Sequence, residues 1–234
     1  MTNDGGPSPA HYSWPDDVAL PDRHSGVDGR PPFRSIEGLS GVLLGLGAFW
    51  TLLHSVYALS SFQAVDAYRR AASTGVDPQR VMSVHAVLGL SDLVAVPVLI
   101  LLGLWTLRVR SNAVMVERDA VRRGAPWAWL AWILPVVSLW FPRQILLDAW
   151  GASAKVWDGA TRRQLNRGTL NLWWGLWLGF AGLLDASGFA DQMRTGFWLT
   201  VVPWLHVLTL VVMIAALVAW GRVVIGLNIA QDPR

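Results

Sequence analysis

From Gly38 to Phe62 the chain runs 25 residues without an Asp, Glu, Lys or Arg, and this constrains the fold more than any other feature. About 20 consecutive apolar residues suffice for a helix to cross a hydrocarbon core some 30 Å thick. A helix on the surface of a water-soluble domain would instead show a polar stripe on every turn. Comparable stretches follow at Val84 to Leu107, Thr169 to Ala186 (the shortest) and Phe197 to Trp220. The chain is therefore expected to be all-α, a polytopic helical membrane bundle with four full transmembrane helices.

A further apolar stretch, Ala125 to Pro142, differs from these four because it holds Pro126, Pro135 and Pro142. A proline inside a helix removes a backbone hydrogen bond and clashes with the carbonyl four residues earlier, so all three are read as helix breakers. Such a segment either crosses as a kinked fifth span or dips in and returns as a re-entrant hairpin. The basic residues favour the hairpin. With five crossings, Lys and Arg divide nine against ten between the two sides. If Ala125 to Pro142 does not cross, they divide fifteen against four. Cytoplasmic loops normally carry the excess, so both termini are expected in the cytoplasm, at the cell (cytoplasmic) membrane.

Downstream, Leu146, Ala149, Trp150, Ser153, Val156 and Trp157 recur at helical spacing, the pattern of an amphipathic helix lying in the interface plane. Nine of the 15 Trp lie between Trp127 and Trp177. They fit either an interfacial aromatic belt or aromatic packing between segments. Residues 1–35, rich in Pro, Gly, Asp and Ser, are too polar to fold alone and are expected to be a disordered cytoplasmic tail. The membrane domain is placed at 36–226, with a short tail at 227–234.

Composition removes several function classes. Only 15% of residues are charged, against about 25% in soluble domains. The absence of cysteine excludes disulfides, thiolate metal sites and cysteine nucleophiles. The small net charge of +3 sits between apolar segments, where it reads as orientation and contact with anionic headgroups rather than a nucleic-acid surface. No H-E-x-x-H, G-x-S-x-G or phosphate-binding glycine loop occurs. Neither an enzyme nor a cofactor is expected.

Three stretches carry a resemblance: LWTLRVRSNA (Leu104 to Ala113), AWILPVVSLWFPRQILLDAW (Ala131 to Trp150) and LWWGLWL (Leu172 to Leu178). In this order they resemble the actinobacterial membrane family catalogued as domain of unknown function 4328, over roughly Gly38 to Gly226. Where that family tends to place Asn before Leu-Trp, this chain has Ser138. The resemblance implies a multi-span membrane protein with a variable polar N-terminal tail, and no activity.

Ionisable residues within a span are expensive to bury and mark functional sites. His54 and Asp92 each fall about four residues, roughly 6 Å, to the outer side of the midplane, and His206 falls on the same side. Asp92 is expected to pair with His54 or His206, either as a proton or cation relay or as a structural hydrogen bond fixing helix register. Gly41 with Gly45, and Gly175 with Gly179, have the small-xxx-small spacing of closely packed helices, within the chain or at a dimer face. Arg108, Arg110, Arg118, Arg122, Arg123, Arg162, Arg163 and Arg167 form a basic cytoplasmic surface. Its partner is the bilayer, and beyond that a protein or a second copy of the chain. The leading reading is a non-enzymatic membrane scaffold or interaction protein. The alternative is a small transporter or channel using the Asp/His cluster.

Overall fold

The computed structural model describes residues 34–75, 79–119, 121–153, 167–193 and 196–231. Arg162, Arg163, Val156, Trp157 and the tail up to residue 33 lie outside the described residues. Among the described residues there are only helices. These are α1 (Glu37–Thr74), α2 (Gln79–Gly89), a 3-10 stretch (Leu90–Val94), α3 (Ala95–Val116), α4 (Ala125–Ile133), a 3-10 turn (Val137–Leu139), α5 (Phe141–Ser153), α6 (Arg167–Gln192) and α7 (Phe197–Ala230).

Three helical stretches are long and apolar enough to cross a membrane: Glu37–Thr74, His85–Val116 and Phe197–Ala230. Their outward faces are apolar at helical spacing. Phe49, Leu52, Val56 and Leu59 on α1 are exposed, as are Trp204, Leu208, Val211, Ile214 and Val218 on α7. Apolar surface this extensive would drive association in water. In hydrocarbon it has no such cost, because the helices satisfy their own backbone groups.

The helices outrun the apolar stretches that announce them. α1 continues twelve residues past Phe62 because Ser61, Ala64 and Ala67 keep one face buried. An i,i+4 pair from Asp66 to Arg70 (2.9 Å) supports the exposed side. The helix stops at Gly75, whose φ of +71° places it in the left-handed region that ends many helices, its N–H bonding the Ala71 carbonyl. α7 likewise runs to Ala230, past the boundary expected at 226, and its last turns bury Val223, Val224 and Leu227.

Two spans are interrupted by proline. Pro97 cannot donate to the Leu93 carbonyl, and the chain immediately before it tightens into the 3-10 stretch Leu90–Val94. Pro203 sits inside α7 and leaves the Leu199 carbonyl without its helical partner.

The three prolines expected to break the helix do different things. Pro135 ends α4 and sets the turn into α5. Pro126 and Pro142 sit in the first turns of α4 and α5, where proline's missing N–H is not needed, and so start helices rather than break them. The α4–α5 hairpin packs on α3. Arg110 Nε donates to the Arg123 carbonyl (2.7 Å) at the hairpin's entry, and Trp132 Nε1 donates to Thr106 Oγ1 (3.1 Å) further down. At its tip, Trp174 Nε1 of α6 donates to the Leu139 carbonyl (3.1 Å). On return, Arg122 binds Asp148 through two nitrogens (2.9 and 3.1 Å). The carboxylate pushes the Arg122 pKa further up. The apolar face of α5 (Ile145, Leu146, Ala149 and Ala152) is buried. The expected interfacial helix therefore turns this face to the protein, not to lipid.

Six tryptophans, Trp105, Trp132, Trp173, Trp174, Trp177 and Trp220, form a layer within the bundle, whereas Trp140 and Trp204 are exposed. Trp220 packs against Trp105 and Trp173 at 4.8 Å each, and Trp132 meets Trp173, Trp174 and Trp177 at 6.2–6.4 Å.

The glycines expected to mediate close packing do not pack closely against another helix of the same chain. A Cβ at Gly41, Gly45 or Gly175 would meet nothing within 4 Å, and one at Gly179 only Val212 at 3.8 Å. All four face outward. Close approaches occur instead at Gly103, where a Cβ would lie 2.8 Å from the Trp129 indole, and at Gly47, where it would lie 2.8 Å from Leu217 Cδ1.

Candidate functional site

At the end of the bundle opposite the arginines, five elements bring six polar side chains together. α1 contributes His54 and Tyr57, one turn apart on its buried face. α2 contributes His85, the 3-10 stretch Asp92, α6 Asp191 and α7 His206. Helical spacing and proline placement explain the convergence. His206 follows Pro203 on the buried stripe Val202, His206, Thr209, Met213, and Asp92 lies in the tightened turn before Pro97.

The groups form two His–Asp pairs. His54 Nδ1 lies 3.7 Å from Asp92 Oδ1, a distance that becomes an ion pair when the ring is protonated. His206 Nε2 lies 3.1 and 3.2 Å from the two oxygens of Asp191. The Tyr57 hydroxyl donates to Asp191 Oδ2 at 2.6 Å. Trp50 Nε1 donates to Asp92 Oδ1 at 3.2 Å. Between the pairs, the His54 and His206 rings sit 6.1 Å apart, and Tyr57 contacts His206 edge-on at 4.7 Å. His85 stacks on Tyr57 at 4.6 Å, and its Nδ1 lies 2.8 Å from Ser60 Oγ.

His54 and His206 are almost fully buried, at 0% and 1% exposure. Neither nitrogen of His54, nor Nδ1 of His206, has a hydrogen-bond partner among the described residues. A buried polar atom left unpaired costs about 1–3 kcal/mol. A neutral imidazole carries one N–H and one acceptor nitrogen, so the unpaired atoms here include a ring donor as well as acceptors. Among the described residues no three His, Asp or Glu come close enough to hold a metal ion.

A cavity of about 250 Å³ opens beside the Asp191 end of this cluster. Tyr57, Tyr68, His85 and Asp191 supply its polar wall, and Ala64, Leu199 and Val202 part of its apolar wall. Beyond the cluster, towards the arginines, Trp50 and Phe180 (5.3 Å, edge-on) and then the tryptophan layer fill the bundle.

The structure thus brings all three expected residues together, and Asp92 meets one of its two expected partners. Asp92 faces His54, while the partner of His206 is Asp191. Asp191, His85 and Tyr57 are absent from the sequence reading. Asp191 falls five residues past the apolar stretch ending at Ala186. What would have found it is the length of α6, because no proline stands between Ala186 and Gln192 and the one glycine, Gly188, does not end the helix.

The expected basic surface is largely committed to the fold. Arg110, Arg122 and Arg123 hold the hairpin, Arg123 also lying 4.0 Å over the Phe141 ring. Arg108 Nη1 donates to the Ser35 carbonyl (3.1 Å). Arg118 and Arg167 are exposed at the same end.

The family model described as Domain of unknown function (DUF4328) matches residues 69–228, about two thirds of the chain. The match starts later than the expected Gly38, so it takes in His85, Asp92, Asp191 and His206, while His54 and Tyr57 precede it. No curated protein and no solved structure matches the chain.

Proposed function

The chain belongs to the DUF4328 family, and from that premise we propose an integral membrane protein that moves protons, a small transporter working through its intramembrane His/Asp cluster. One observation carries this reading: two buried His–Asp pairs meet beside two proline-interrupted helices. Interrupted helices around a buried polar site are a recurring design of secondary transporters, because broken segments re-aim side chains at modest cost. The route runs from the cavity to Asp191 and His206, across the 6.1 Å ring contact to His54, and on to Asp92. Release to the arginine face requires the interrupted helices to rearrange, because Trp50 and Phe180 fill the bundle beyond. Histidine suits each step, since its charge changes near neutral pH. No covalent chemistry is part of the proposal.

In this reading α1, the α2–α3 helix, α6 and α7 cross the bilayer, and α4–α5 is a re-entrant hairpin. The contacts of α4 with α3 fall between Gly103 and Arg110, so the hairpin reaches about 10 Å along α3 at 1.5 Å per residue. Its tip bonds Trp174, seven residues into α6, at the same depth. The arginine end is cytoplasmic, and anionic headgroups contact its exposed cations. A scaffold role would call for basic side chains free to bind a partner, and four of these arginines are engaged within the fold.

The test is proton flux into liposomes containing a pH-sensitive dye, under an imposed gradient. Wild-type protein is expected to dissipate the gradient, and Asp191→Asn or His206→Gln to slow it at least tenfold, a loss on the scale of removing a positioned acid–base group. Flux at the rate of empty liposomes, or undiminished in both variants, overturns the proposal.

A further inference from the structure

The cavity beside Asp191 has a chemistry of its own. Its volume of about 250 Å³ lies just below the range of small-molecule sites, so its occupant is small. Its wall is mostly aliphatic, and the one carboxylate in it belongs to Asp191. A carboxylate accepts about four hydrogen bonds. Asp191 Oδ2 already takes Tyr57 and His206, whereas Oδ1 takes only His206, and that at 3.2 Å. Acceptor capacity therefore remains on Oδ1, the less engaged oxygen. Tyr68 adds an aromatic ring to the same wall, the side chain that attracts cations through its face. Among the described lining residues none is Lys or Arg.

We infer that this cavity binds a small organic ammonium ion, with its charge on Asp191, its apolar part against Leu199 and Val202, and its occupancy in competition with protons on the neighbouring histidines. The inference rests on the proton-transport reading and supplies its second substrate. An ammonium ion on Asp191 and protons on His206 and His85 neutralise the same carboxylate, so each weakens the other. This is the linkage required for exchange of an organic cation against protons. Among the described residues, the charged and titratable groups around Asp191 are Tyr57, Tyr68 and His54 from α1, His85 from α2, Asp92 from the 3-10 stretch and His206 from α7. On the exposed side of α1, Arg69 bonds Thr200 Oγ1 and Arg70 is paired with Asp66, both where solvent screens them.

Calorimetric titration of the purified protein in detergent micelles tests this directly. The probe is benzyltrimethylammonium, whose charge does not change with pH. Benzyl alcohol and benzoate serve as neutral and anionic counterparts. The ammonium ion is expected to bind at least tenfold more tightly than either, and to lose about tenfold in affinity between about pH 8 and about pH 5.5, where histidines become charged. Asp191→Asn is expected to weaken it at least tenfold. Ala86→Phe, which places a ring in the cavity from an exposed position on α2, does the same without altering the carboxylate. Benzyl alcohol binding as well as the ammonium ion, full affinity in Ala86→Phe, or no saturable binding overturns the inference. No gradient is involved, so the two readings fail separately. Binding without proton flux removes proton transport and leaves the cation site, and flux without binding does the reverse.

Discussion

At the scale of single residues, burial of polar side chains separates the two ends of the bundle. At the cavity end, His54 and His206 keep unpartnered nitrogens. At the arginine end the buried amides are satisfied, and Arg123 Nε is the one buried polar atom there without a hydrogen-bond partner among the described residues. Asn112, fully buried on α3, grips the backbone of Arg34 from both sides: its Oδ1 accepts the Arg34 N–H (3.0 Å) and its Nδ2 donates to the Arg34 carbonyl (2.8 Å). The same amide donates to Gln231 Oε1 (3.0 Å), and Gln231 Nε2 bonds the Val109 carbonyl and Ser153 Oγ. Asn112 and Gln231 together thus tie the start of α1, α3, α5 and the end of α7 to one another. Asn112→Ala strands the buried Gln231 oxygen, while the exposed Arg34 backbone can turn to water, and is expected to destabilise the protein by about 1–3 kcal/mol, the cost of one orphaned group. Thermal unfolding in micelles measures it, and a loss below about 0.5 kcal/mol, the scale of an ordinary surface substitution, would refute the clamp. Composition alone could not reveal this role, because Asn112 lies among arginines and reads as a surface residue. His54, Asp92 and His206 were legible because an ionisable group in an apolar run is costly wherever the chain takes it. Tyr57 was not, since a tyrosine in such a run is ordinary.

At the scale of elements, apolar runs reveal that helices exist but not where they end. α1 and α7 continue well past their apolar stretches, and α6 extends far enough to deliver Asp191. Hydropathy follows contact with lipid, while helix ends follow caps and breakers such as Gly75. The α4–α5 hairpin was legible from its prolines, yet its docking was not, because that depends on one missing side chain. At Gly103 a Cβ would meet Trp129 Cε3 at 2.8 Å and Cδ2 at 2.9 Å, ring atoms of a bulky indole that cannot swing aside cheaply. At Gly41 it would meet open space. Gly103→Ala is therefore expected to cost about 1–3 kcal/mol through overpacking. Gly41→Ala should leave stability unchanged or raise it by about 0.5–1 kcal/mol through reduced backbone freedom. Denaturant unfolding of the two variants side by side decides the matter, and equal effects would show that the hairpin does not rest on this contact.

At the scale of the whole molecule, the spacing and chemistry of the chain argue for an asymmetric bundle. One end is held by arginines, buried amides and a tryptophan layer, and the other is loosened by two prolines and hollowed beside Asp191. That asymmetry has functional meaning only if the two ends face different compartments, which depends on whether the hairpin crosses. Because the chain has no cysteine, single cysteines report on each connection without interference. Ser73→Cys at the end of α1 and Met193→Cys after α6 lie at the cavity end, Asp119→Cys lies just past α3, and Thr161→Cys falls between α5 and α6. With four crossings and a re-entrant hairpin, a membrane-impermeant thiol reagent should label Ser73→Cys and Met193→Cys in intact cells. Asp119→Cys and Thr161→Cys should react only after permeabilisation. Opposite behaviour of the last two would mean that α4–α5 crosses. The arginines would then divide nearly evenly between the two faces, and the orientation rule that places the cavity outside would lose its basis. Protection of Met193→Cys in intact cells would instead mean that α6 does not cross. Asp191 would then lie on the cytoplasmic side, apart from the face to which the cavity is assigned, and the proton path from that face would have no entrance.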